Sequence, residues 1–257
     1  MPEVDFVTLV HKSTKRDYVQ RVTEVDKAVV AEKAIQFGHD YWDGDRLSGY
    51  GGYRYDGRWR KVADAMAAHY GLKSGDRILD VGVSDVISNG ANVLERCYPQ
   101  QQNITACGLG AGQQFQATFP KVNYVRIDPN MRLPFDDRSF AIATANAVLE
   151  HVGSAANQAS FVGELCRVAE RVFISVPHKF FPIEHHTALP FVHYQKRTFE
   201  LACAATGKSE WTKEENLILM TRKRLRQLAA PIGKKAVVGY TGLPLGPFSS
   251  NLFLALH

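Results

Sequence analysis

The chain has 257 residues, 45% hydrophobic and 22% charged, with a formal charge of +5. This is ordinary for a soluble globular protein able to bury a substantial core within one domain. No apolar run reaches membrane-span length, and the modest positive charge admits an anionic ligand without indicating nucleic acid.

The N-terminal stretch "MPEVDFVTLVHKSTKRDY" has no apolar signal-peptide core, so a cytoplasmic protein is expected. In residues 17–38, Val19, Val22, Val29 and Ile35 fall near helical spacing and Gly38 ends the run. Residues 39–59 are dense in Tyr, Trp, Gly and Asp, the composition of an ordered loop. A second helix is expected over Arg58–Tyr70, with Trp59, Val62, Met66 and Tyr70 on one face and Gly71 as its stop.

A strand–helix alternation then begins. The apolar runs "RILDV", "NITACG", "VNYVRI", "FAIATAN" and "RVFISV" read as buried strands, with helices between several of them, notably Gln158–Ala169. Two further helical stretches follow, then "AVVGY" and "NLFLALH", a terminal antiparallel hairpin on the sheet edge. The pattern predicts an α/β fold: a doubly wound, mostly parallel sheet of seven strands with helices on both faces. One domain is expected over 1–257, with 1–72 as a helical extension and lid and 73–257 as the ligand-binding core. The four cysteines form no CxxC pair and are expected to be reduced.

In open α/β sheets, ligands bind beyond the strand carboxyl ends. Asp80 and Gly82 end the first strand, and a glycine there lets backbone approach a ligand. Asp128 ends the third strand. Asn146 ends the fourth, and Glu150-His151 follow closely. After the fifth come His178, Glu184, His185, His186 and His193. The histidine spacing matches no HxH or HExxH template, so no metal is expected. The basic run "TRKRLRQ" reads as a solvated helix face.

The ordered combination "RIDPNMRLPFDDRSFAIATANAVLEHV", together with "VPHKFFPIEHHTALPF", resembles the class I S-adenosylmethionine-dependent methyltransferases, in particular the subgroup with an LPF-D-SF…EHV signature. "HKSTKRDY", "DYWDGDR" and "YGGYRYDGRW" resemble the N-terminal extension of bacterial members that modify glycans. The resemblance implies S-adenosylmethionine as cofactor and a small molecule or glycan precursor as acceptor, methylated on oxygen. A non-catalytic relative and an RNA methyltransferase are the alternatives. The loop from Asp80 through Gly82 and Ser84 would face the methionine part, Gly108 the ribose, Asp128 the adenine and Asn146 the methyl. Tyr50, Tyr53 and Arg58 would fold over the pocket. His151, His185 and His186 are the candidate acceptor-side bases.

Two departures stand out. Ser84 and Val86 replace the usual second and third loop glycines, so the loop must run wider. Gly108 stands where most members carry a carboxylate for the ribose. Asp85 and Asn89 are the nearest polar substitutes. Gly82→Val is expected to block the ligand while sparing the fold; Gly108→Asp would tighten cofactor binding if the ribose clamp is simply absent, and weaken it if the altered loop already occupies that edge.

Overall fold

The computed structural model describes residues 75–87 and 91–257, together with 29, 32, 60–69, 71 and 73. Tyr50, Tyr53, Arg58 and Asn89 lie outside the described residues. The chain divides into two compact units, 1–73 with 87–97, and 74–86 with 98–257. In the first, helix α1 spans Arg60–His69, inside the expected Arg58–Tyr70 stretch. Gly71 follows it at φ +61°, its N–H donating to the Ala68 carbonyl. That conformation costs glycine least, and it stops the helix. Helix α2 (Val93–Cys97) belongs to the same unit.

The second unit is built on β1 (Ile78–Val81), β2 (Ile104–Gly108), β3 (Asn123–Arg126), β4 (Phe140–Asn146), β5 (Ala169–Pro177), β6 (Ala236–Leu245) and β7 (Phe248–Leu256). These form one seven-stranded sheet in the order β3-β2-β1-β4-β5-β7-β6. β1 to β5 pair in parallel, while β7 runs antiparallel to both β5 and β6. All seven expected strands, the two of the closing hairpin included, are therefore present. β2 is buried along its whole length, which is why "ITACG" reads as a continuous run without alternation.

Helix α3 (Gln113–Thr118) joins β2 to β3, and α4 (Ala155–Val168) joins β4 to β5. The sheet grows outward in opposite directions from β1 and β4. Right-handed crossovers therefore put α3 and α4 on opposite faces. The main core gathers Leu79, Phe140, Leu149, Leu165, Ile174 and Leu254. A smaller cluster, Phe199, Cys203 and Leu217, forms beneath α5 (Lys196–Ala205), with Trp211 packed against it. None of the four cysteines is in a disulfide. No helix among the described residues is long and apolar enough to cross a membrane.

The basic run forms α6 (Arg222–Ala229), whose Thr221 cap accepts from the Arg224 N–H. It is not simply a solvated face. Leu225 and Leu228 are buried. Arg224 Nε donates to Gln158 Oε1 at 2.6 Å, and the Arg222 guanidinium lies 4.7 Å from the Tyr240 ring centre.

The "LPFDD" signature has a structural cause. Arg167, in the last turn of α4, donates to the carbonyls of Leu133 and Phe135 and to the carboxylates of Asp137 and Glu164. Glu164 in turn accepts from the Leu133 N–H at 3.0 Å. The turn before β4 is thus bolted to the helix after it. Bonding from Arg167 also holds the Glu164 carboxyl below its ordinary range. Arg167→Ala leaves Glu164 and two carbonyls without their donor and is expected to cost about 3 kcal/mol. Urea denaturation should show it. A depressed carboxyl adds stability above its unfolded-state pKa and loses it as pH falls through the folded value. The gap between wild type and variant should therefore narrow in acid.

Candidate active site

β1 ends at Val81, and the chain turns at Gly82 with φ +96°. The N–H groups of Gly82 and Val83 both donate to the Cys107 carbonyl, at 2.8 and 3.0 Å. A Cβ on Gly82 would lie 2.2 Å from Val148 Cγ2. Ser84 closes a tight local turn, its hydroxyl donating to the Val86 carbonyl and accepting from the Val86 N–H. Asp80 Oδ1 accepts from the Thr144 hydroxyl at 2.6 Å, tying β1 to β4.

Asp85 reaches across to the strand next door. Its two oxygens accept from the N–H groups of Gly112 and Phe115, at 3.1 and 3.0 Å, at the start of α3. Gly108 is buried at the end of β2, and a Cβ there would lie 2.8 Å from Tyr124 Oη and 2.9 Å from the Val83 carbonyl oxygen. Tyr124 itself donates to the Gly110 carbonyl at 2.8 Å. Asp128 is exposed past the end of β3.

The second half of the site lies past β4 and β5. The Asn146 side-chain oxygen accepts from the Ser175 hydroxyl. Ala147 turns at φ +53° with its N–H on the Ser175 carbonyl, and a 3₁₀ turn over Leu149–His151 follows. This turn buries Glu150 to 1% exposure and leaves His151 exposed. The loop after β5 brings His186 onto His151, with their Nε2 atoms 3.1 Å apart and their rings crossed at 88°. Trp211 lies 5.0 Å from the His186 ring.

Glu184 organises this loop. Its Oε2 accepts from the N–H groups of His186 and Thr187 and from the Thr187 hydroxyl, while Oε1 meets His186 Nδ1 at 2.8 Å. Burial alone would raise its pKa, but the hydrogen bonds from His186 and Thr187 outweigh that and hold the carboxyl at about 2. Glu150 has no such partners, and burial pushes it up to about 7. Burial also lowers the pKa of His151. Beside His151 opens a groove of about 380 Å³, lined among others by Asn130, Ser154, Asn157 and Glu214.

No family model matches the chain, and no curated protein matches it. Solved structures do. A SAM-dependent methyltransferase from Methanosarcina mazei superposes with a TM-score of 0.50 at 16% identity, over 74% of this chain and 96% of that one. The carbon methyltransferase CurJ gives 0.52 at 15% identity, and this chain spans 99% of its own length but only 61% of that protein. A putative methyltransferase from Haloferax volcanii, solved with its activator Trm112, gives 0.50 at 12% identity, over 77% and 88%. The chain has the class I S-adenosylmethionine-dependent methyltransferase fold.

In a methyltransferase fold the chain reverses direction across the sheet between β1 and β4, the switch point at which ligands bind. Gly82 and Asn146 lie on either side of it. At Gly82, the expected methionine side, a left-handed and exposed glycine leaves bare backbone at the switch point, which is compatible with close approach of a cofactor. Gly108, the expected ribose side, offers no carboxylate. The space beside Gly108 is taken by Tyr124 and Val83, and both Asp85 oxygens already hold α3.

Of the three candidate histidines, His151 and His186 meet. His185 is exposed, its ring against Phe181. His193 and His178 bond the carbonyls of Phe181 and Ser249. Sequence reading missed the burial of Glu150, whose only signal is its place next to His151 after β4. It also missed Asn216, whose carbonyl accepts from His151 Nδ1 at 2.6 Å, and Trp211; both come from a loop with no motif of its own.

Proposed function

We propose that the chain is an S-adenosylmethionine-dependent methyltransferase acting on an oxygen of a small molecule or glycan precursor. The observation that carries the reading is Gly82, left-handed at the carboxyl end of β1, at the switch point of a methyltransferase fold. The bound cofactor would supply an electrophilic methyl group. The chain's part is to align and desolvate the acceptor and to receive its proton. His151, which lines the groove that would admit the acceptor, and His186, paired with it through Nε2, are the groups that would receive it.

The test is calorimetric titration with S-adenosylmethionine. Saturable binding is expected, weaker by roughly ten- to a hundredfold than with a ribose carboxylate. No saturable binding at millimolar cofactor would overturn the reading. The filled ribose edge would then favour the second reading, a binding protein that has kept the fold and lost the cofactor.

A further inference from the structure

The geometry points to a divalent transition-metal site formed by Glu150, His151 and His186. Among the described residues these three offer ligand atoms within 4.8 Å of one another. The hydrogen bonds around them say more than the spacing does. His151 Nδ1 meets the Asn216 carbonyl, which can only accept, so this nitrogen carries its proton. His186 Nδ1 meets Glu184, a carboxylate that already accepts three donors on its other oxygen, so it too is the protonated nitrogen.

In two neutral rings so arranged, both Nε2 atoms are bare lone pairs, yet they face each other at 3.1 Å. Such a contact repels unless a positive centre is shared between them. Beside them is a carboxylate with neither oxygen hydrogen-bonded, 1% exposed, with Oε1 3.9 Å from His151 Nε2. Ionising a buried carboxyl with no partner from another residue is costly, and a cation held beside it would offset that cost.

Two ligands on one zinc ion, each at about 2.1 Å, lie roughly 3–3.5 Å apart. The nitrogen pair is already at that separation, and the carboxylate must swing in by about an ångström. The outer contacts are those of a metal site as well, since both imidazoles are fixed through Nδ1 by a carboxylate or a carbonyl. Two histidines and one carboxylate suit zinc, with remaining positions for water or an oxygen ligand. The exposure of His151 leaves the site open to solvent. An ion here would do by charge what the imidazoles would do by accepting a proton. The site stands whether or not the chain transfers methyl groups.

The test uses the full chain stripped with a chelator and titrated calorimetrically with zinc alone, then manganese alone. One equivalent of zinc should bind, and Glu150→Gln and His186→Ala should each weaken it at least tenfold. His185→Ala should leave the affinity unchanged. Glu150→Gln keeps the side-chain shape, so circular dichroism of that variant shows that a loss is not unfolding. No saturable binding of either ion at millimolar concentration by folded wild type would overturn the site, leaving a shared proton between the rings. So would zinc binding that survives both Glu150→Gln and His186→Ala. S-adenosylmethionine titration of metal-free protein reports separately on the methyl-transfer reading.

Discussion

Gly82→Val should cost the fold about 4 kcal/mol and remove S-adenosylmethionine binding. Overpacking accounts for roughly 1–3 kcal/mol, because the new Cβ would sit 2.2 Å from Val148 Cγ2. The left-handed backbone at φ +96° adds about 1–2 kcal/mol, and more for a β-branched residue. Urea denaturation should show a lowered midpoint. This corrects the expectation from sequence that the fold would be spared, since Val148 packs where that side chain must go. Because instability alone can abolish binding, a second variant is needed. Gly82→Ala combined with Val148→Ala removes the 2.2 Å contact and should fold. If that protein binds S-adenosylmethionine as wild type does, Gly82 is a packing residue and does not face the cofactor.

Gly108→Asp is the second large effect, and of the two outcomes left open by the sequence it favours the one in which the edge is already occupied. The added Cβ meets Tyr124 Oη at 2.8 Å and the Val83 carbonyl oxygen at 2.9 Å. The tyrosine can swing aside, whereas the carbonyl belongs to the loop held by Cys107. The new carboxylate would also be placed in a buried position, facing a carbonyl that cannot donate to it. A loss of about 4 kcal/mol is expected, with no gain in cofactor affinity. Thermal unfolding and calorimetry on the same sample check both parts. A folded Gly108→Asp protein that binds more tightly would show that the ribose edge can open.

The architecture was legible because its signals are periodic. Buried parallel strands read as unbroken apolar runs, and "RILDV", "NITACG" and "FAIATAN" each lie on a strand. The LPF turn was legible as a motif but not as a clamp, because Arg167 acts from more than thirty residues away. Asp85 was noticed as a polar residue near the ribose. That its carboxylate is spent on Gly112 and Phe115 depends on contacts 27 and 30 residues distant. The Glu150, His151 and His186 cluster escaped a spacing test for the same reason. His186 is 35 residues from His151, and a template written along the chain does not see a site assembled across two strand ends.

The Asp85 bridge has a mechanical consequence. One side chain on the loop after β1 supplies acceptors to two amides on the segment after β2. The Cys107 carbonyl, within β2 itself, holds the base of the same loop by accepting from Gly82 and Val83. Four hydrogen bonds thus run both ways across a single seam. The start of α3 is leashed to this loop through one carboxylate, so loss of that carboxylate would release the helix end while the Cys107 contacts keep the loop in place.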